Sequence, residues 1–107
     1  MLRDREKRRS QLRSLAHEVA AMLRGEFAAE RVWVFGSVVR PWFHEQSDLD
    51  LAAEGISAEQ RANAWDRAIA LVGAAMTSTT VDLVFVEEAP ASLLERIRGD
   101  GELLTEQ

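Results

Sequence analysis

The sequence predicts an α/β (α+β) domain, a small mixed β-sheet with helices packed on it. Three observations carry that expectation. The first quarter of the chain repeats apolar residues at helical spacing, whereas three later runs are short, apolar and rich in β-formers. A second helical pattern separates two of those runs, the arrangement that lets strands pair across a helical connection. The composition is that of an ordinary globular domain, with 107 residues, 47% hydrophobic and 29% charged. That length predicts one domain over residues 1–107.

The elements follow in order. Residues 5–27 predict one amphipathic helix, because Leu12, Leu15, Ala16, Val19, Met22, Leu23 and Phe27 form a single apolar stripe fit to cover a sheet. Val32 to Phe35 predict a strand covered on both faces, ending at Gly36-Ser37. Val38, Val39 and Arg40 then begin a brief helix with Ser37 as its cap. Pro41 keeps that helix short, and Trp42 to Gln46 read as a loop. Asp48 to Ala52 predict a second strand. Ser57 and Gln60 have capping-box spacing ahead of a helix whose inward stripe is Trp65, Ala68, Ile69, Val72 and Met76. Thr77 to Thr80 form a polar connection. Val81 to Val86 give the third strand, and Pro90 opens a helix through about Arg98 with Leu93, Leu94 and Ile97 inward. Gly99 is the expected stop, and Leu103-Leu104 a short closing strand or packed tail.

Composition excludes several chemistries. There is no cysteine, so disulfides, a thiolate nucleophile and Cys-ligated metals are ruled out. No apolar run nears the roughly 18 residues of a membrane span, and the charged N-terminus is no secretory signal, so a cytoplasmic protein is expected. The net charge is −5. Residues 1–13 hold six basic and two acidic groups, so a +4 head precedes a body of −9. The head reads as a solvated helix start, and the acidic body argues against extended nucleic-acid binding.

One constellation stands above this background. Gly36-Ser37 is followed after ten residues by Asp48-Leu49-Asp50, and Asp82 then interrupts an apolar strand. A Gly-Ser turn at a helix mouth lets backbone N–H groups approach phosphate oxygens. On a strand, Asp48 and Asp50 share a face. Two close carboxylates repel unless they share a proton or a cation, and Mg²⁺ is the hard, oxygen-seeking ion that such a pair holds beside phosphates. Burying Asp82 unpaired would cost several kcal/mol, so it too calls for a partner. An Asp-x-Asp alone usually marks a solvated strand edge, and Gly-Ser alone is a turn. Their fixed spacing, the strand–turn–helix context and the third Asp outweigh those simpler readings.

At these residues the sequence resembles the nucleotidyltransferase superfamily with the DNA polymerase β-like fold, and within it the minimal nucleotidyltransferases (MNT) that serve as antitoxins of HEPN/MNT toxin–antitoxin systems. Val32 to Ser37, Ser47 to Leu51 and Val81 to Val84 carry the match, and the tail from Leu93 to Leu104 extends it. The resemblance implies that Gly36 and Ser37 hold the β- and γ-phosphates of ATP. It implies that Asp48 and Asp50 bind two Mg²⁺ ions, and that Asp82 binds one of them and helps deprotonate the acceptor. It implies AMP transfer to a partner HEPN toxin, with tyrosine as the expected acceptor and a hetero-oligomer as the expected assembly. The chain has no tyrosine of its own, and 107 residues leave no room for an acceptor-gripping domain. Minimal members often carry Arg after Gly-Ser and Gly before the acidic loop. Here Val38 and Pro41 stand there, and Arg40 is the candidate substitute for the Arg. The alternatives are an antitoxin that works by binding alone and a small-molecule nucleotidyltransferase.

The remaining polar and aromatic residues read more simply. Trp42 and Phe43 are interface anchors or packed loop residues in equal measure, and His44 is a polar loop residue. His17 faces solvent on its helix, Trp65 is core, and Glu87-Glu88 form a solvated turn. Arg96 and Arg98 suit a helix C-terminus, and sequence leaves open whether either reaches a triphosphate.

Overall fold

The computed structural model describes residues 2–39, 48–77 and 79–104. Helix α1 spans Leu2–Phe27 and leads into strand β1, Arg31–Phe35. A 3₁₀ turn at Gly36–Val39 follows, and then β2, Leu49–Glu54. A second 3₁₀ turn, Ala58–Gln60, precedes α2, Arg61–Ala75. Strand β3, Val81–Phe85, runs into a third such turn, Val86–Glu88. Helix α3, Ala91–Asp100, and strand β4, Glu102–Leu103, close the chain. The described strands form one sheet in the order β3-β2-β1-β4. β1 is antiparallel to both β2 and β4, whereas β2 and β3 run parallel through the crossover that contains α2.

Alternation along the strands divides the core into two unequal parts. Val32, Val34, Leu49, Leu51, Val81 and Leu83 point to one face, where they pack with Leu12, Val19 and Leu23 of α1 and Ala64, Ala68 and Val72 of α2. The opposite face presents Phe35 and Ala52 to Ile97 of α3, with Trp33, Val84 and Leu93 partly buried around them. The mixed sheet with helices on it is therefore as predicted. At about 25 cal/mol per Å² of apolar surface, burial on the first face dominates its stability. No described helix is long and apolar enough to cross a membrane.

Several local expectations need correction. Ser57 flanks the 3₁₀ turn without a side-chain capping bond, and α2 starts only at Arg61, so no capping box forms. Trp65 is 36% exposed and Ile69 51% exposed. The stripe that faces the core is instead Ala64, Ala68 and Val72, whose small side chains let α2 lie close to the sheet. Trp65 therefore is not core; it tilts against Phe85 with ring centroids 6.4 Å apart. The helix after β1 begins at Gly36, so Ser37 lies inside the turn rather than capping it. Val86 leaves the third strand for a 3₁₀ turn.

At the C-terminus, α3 passes Gly99 and ends at Gly101, whose N–H donates to the Ile97 carbonyl at 2.9 Å. A Cβ on Gly101 would overlap that same oxygen, while one on Gly99 would meet open space. Leu103 is exposed and Leu104 buried, its N–H donating to the Val32 carbonyl at 2.8 Å. The basic head is less solvated than its charge suggests. Arg8 Nη2 donates to the hydroxyl of buried Thr79 at 3.0 Å, and Arg13 bonds Glu102 at 2.6 Å. Arg40 and Pro41, the loop at 42–46 with Trp42, Phe43 and His44, and Ser47 lie outside the described residues, as does the Ser37 side chain.

Candidate active site

The site is built by strand register. Asp50 of β2 is the partner of Phe35 at the end of β1 and of Asp82 in β3. Asp50 and Asp82 occupy alternate positions to the buried Leu49, Leu51, Val81 and Leu83, so both stand on the α3 side of the sheet. Strands in one sheet lie about 4.8 Å apart, which makes the two carboxylates neighbours. Asp48 precedes β2 by one residue and is exposed, like Asp82. Asp50 is half-buried.

Their electrostatics follow from that crowding. Burial pushes the Asp50 carboxyl up to about 6, and the charges of Asp82 and then Asp48 push in the same direction. The guanidinium of Arg96 on α3 opposes them. Sequence reasoning left Arg96 open, but its place beside buried Ile97 was the available signal. A helix that seats Ile97 on Phe35 and Ala52 brings the adjacent Arg96 toward the same face as Asp50.

Gly36 completes the arrangement. Its φ of +76° lies in the region that L side chains avoid, and a Cβ there would overlap Asp50 Oδ2 and sit 3.1 Å from Asp50 Cγ. The backbone at Gly36 thus packs directly on the Asp50 carboxylate. Val38, two residues on, is fully buried in the main core. Its apolar, buried side chain cannot act as a phosphate ligand.

The donor set suits a hard divalent cation, because all three acids are carboxylates and the central one is held uncomfortably in its charged form. Among the described residues no three acidic or histidine groups are drawn close enough to enclose a metal as they stand.

A mixed sheet that brings carboxylates from two parallel strands together beside a glycine turn defines a nucleotidyltransferase-type domain. The family model for polymerase beta nucleotidyltransferases matches residues 17–107, and the chain belongs to that family. No curated protein matches it. Among solved structures, a chain of a toxin–antitoxin complex with AMP-PNP is similar, with 21% identity and a TM-score of 0.64 over 85% of this chain and 73% of that one. A chain of the tri-AMPylated HEPN toxin in complex with MNT antitoxin from Shewanella oneidensis is similar at 19% identity and a TM-score of 0.62, over 90% and 73%. A chain of an MntA–HepT toxin–antitoxin structure gives 19% and 0.62 over 89% and 73%. At these identities the likeness is one of fold.

Proposed function

We propose that this chain is a Mg²⁺-dependent nucleotidyltransferase that transfers AMP from ATP to a hydroxyl of a HEPN-type toxin, and so acts as its antitoxin. The observation that carries the reading is the register of Asp50 with Asp82, with Gly36 packed on Asp50. The fold similarity to chains from a HEPN toxin–MNT antitoxin complex and from a toxin–antitoxin complex with AMP-PNP supports the choice of partner and nucleotide.

In this reading the Gly36-Ser37 backbone and the Ser37 hydroxyl hold the β- and γ-phosphates, with Arg40 as a further phosphate ligand. Asp48 and Asp50 hold two Mg²⁺ ions, and Asp82 shares one. Bound Mg²⁺ supplies charge neutralisation for the entering and leaving oxygens. Asp82 accepts the proton of the acceptor hydroxyl. That oxygen forms a bond to the α-phosphorus as the bond to the β-phosphate oxygen breaks, and pyrophosphate leaves in line. Arg96, close enough to Asp50 to oppose its neutralisation, adds positive charge where the triphosphate would lie.

Incubation with labelled ATP, Mg²⁺ and the protein encoded beside this chain tests the proposal. Label is expected on the partner, and none after joint replacement Asp48→Ala and Asp50→Ala. Label that persists in the double variant refutes the assigned site. One observation favours a second reading, neutralisation by binding alone: the buried Val38 leaves the turn without the usual Arg. Under that reading the double variant still protects cells from the toxin.

A further inference from the structure

The opening turns of α1 stand apart from the rest of the domain. Residues 1–16 precede the stretch that the family model matches. The apolar stripe of α1 starts at Leu12, and none of residues 6–11 is buried. Residues 6–11 therefore extend the helix without adding to the core. Together with residues 2–5 they hold five basic side chains, Arg3, Arg5, Lys7, Arg8 and Arg9, against the acidic Asp4 and Glu6. Cations in the first turns of a helix oppose its dipole, which favours acids there. Neither core packing nor helix electrostatics accounts for this charge. A local rule broken without a structural gain calls for a partner outside the domain.

The extension also has a direction. α1 ends at Phe27, just ahead of the start of β1 at Arg31, so its opening turns lie toward the other end of the sheet. Arg8 fixes where they arrive. Its Nη2 donates to the Thr79 hydroxyl at 3.0 Å, and the carbonyl of the next residue, Thr80, accepts the Leu49 N–H at 3.1 Å. β2 begins at Leu49 and β3 at Val81, so this is the end where Asp48, Asp50 and Asp82 stand. At 1.5 Å per residue, residues 2–7 carry the helix about 9 Å further. A macromolecule that approaches the three carboxylates also meets this basic helix.

Chemistry selects among anionic partners. Residues 1–16 include no aromatic side chain, so a single-stranded nucleic acid finds nothing to stack on. An extended phosphate backbone would also run over the acidic body of the domain. A second copy of this chain brings a net charge of −5 against −5. A compact cluster of carboxylates on a protein surface fits better. Four of the five cations are arginines, whose planar fork binds a carboxylate through two parallel hydrogen bonds.

We propose that the opening turns of α1 are a docking surface for an acidic patch on the polypeptide that carries the acceptor hydroxyl. The surface lies outside the stretch shared with the family and is made by residues that the transfer chemistry does not use. It brings the polypeptide to the end of the sheet where the carboxylates stand. The inference rests on the proposed function only for the identity of that polypeptide.

Titration calorimetry of the intact chain with the protein encoded beside it, without nucleotide, tests the surface. Arg3→Glu with Lys7→Glu is expected to weaken binding at least about tenfold at about 0.1 M salt, where charges act over roughly 10 Å, and far less at about 1 M. The same variant keeps its affinity for AMP-PNP with Mg²⁺ and melts no lower than the native chain, since acids suit the first turns of a helix. A merely structural role predicts the reverse, lower melting with unchanged partner affinity. Arg67→Glu with Arg98→Glu, an equal change of charge on α2 and α3, leaves partner binding unaltered. Partner affinity that survives the α1 substitutions, or that falls equally in the control, overturns the surface. A native chain that sediments as a dimer, lost in the α1 variant, also overturns it, because a second copy is then the occupant. So does tighter binding of an oligoribonucleotide than of a glutamate-rich peptide of equal charge. If the native chain does not bind the neighbouring protein, the choice of partner in the proposed function fails instead. Shifts of the Lys7, Arg8 and Arg9 amide resonances with the glutamate-rich peptide then decide the surface alone, and their absence rejects it.

Discussion

Asp50 is the residue on which site and stability conflict. Its carboxyl is raised from 3.8 to about 6 by burial and by two neighbouring acids. Below pH 4 both folded and unfolded chains are protonated there, and the group is neutral in its effect. Between pH 4 and 6 the unfolded chain ionises first, so folding loses ground as pH rises, and above pH 6 the full penalty applies. Asp50→Asn is therefore expected to stabilise the metal-free protein by about 1 kcal/mol at pH 7.5, a figure reduced from the full shift because the group is half-open to water. The gain should vanish near pH 4, and urea melts at the two pH values measure it. Gly36 is the complementary case. Gly36→Ala forces an L residue into a left-handed conformation against Asp50 and should cost about 2 kcal/mol in the same melts. Both residues were legible in sequence, because a Gly-Ser turn and strand acids at fixed spacing report directly on backbone and charge. The raised state of Asp50 was not, since it depends on how deeply the strand end is buried.

At the scale of elements, the pattern located the three described α-helices and strands β1 to β3, but not every face. The second helix illustrates why. Trp65 and Ile69 are more hydrophobic than Ala64 and Ala68, yet the close approach of α2 to the sheet favours the smaller residues, so the stripe turns by one position. Capping and stop signals misled for related reasons. Ser57 stands before a 3₁₀ turn, without a side-chain capping bond, that sequence could not distinguish from the helix proper, and Gly99 can be helical because nothing crowds it. The 3₁₀ turn after β1 yields a sharper expectation. Val38 is fully buried among the core residues. Val38→Arg, which restores the residue type minimal family members often carry one position after Gly-Ser, should not restore phosphate binding. It should destabilise the fold by about 3 kcal/mol or more, because a charge would be buried without a partner. Denaturant titration alongside AMP-PNP affinity separates the two effects.

For the whole molecule, α1 is tied to the last described residues. Arg24 Nη1 donates to the Leu104 carbonyl at 2.7 Å, and Arg13 pairs with Glu102 at 2.6 Å, so α1 holds the strand that pairs with β1. Exposed ion pairs are worth about 0–1 kcal/mol, so Glu102→Ala should scarcely change global stability. It should instead speed hydrogen exchange at the Leu104 amide, which bonds the Val32 carbonyl. None of these long-range clamps was visible in sequence, where the basic head looked like solvated charge. The mixed sheet was visible, because its strands are short apolar runs separated by a helical pattern and turn residues.

The central claim is that carboxylates from β2 and β3 act with the Gly36 turn as one cation and nucleotide site. Paramagnetic broadening by Mn²⁺ in the presence of AMP-PNP tests it most directly. Amide resonances of Gly36, Asp48, Asp50 and Asp82 should disappear first, and Asp50→Asn or Asp82→Asn should restore them. Broadening that centres elsewhere on the chain, or that survives both substitutions, would contradict the claim.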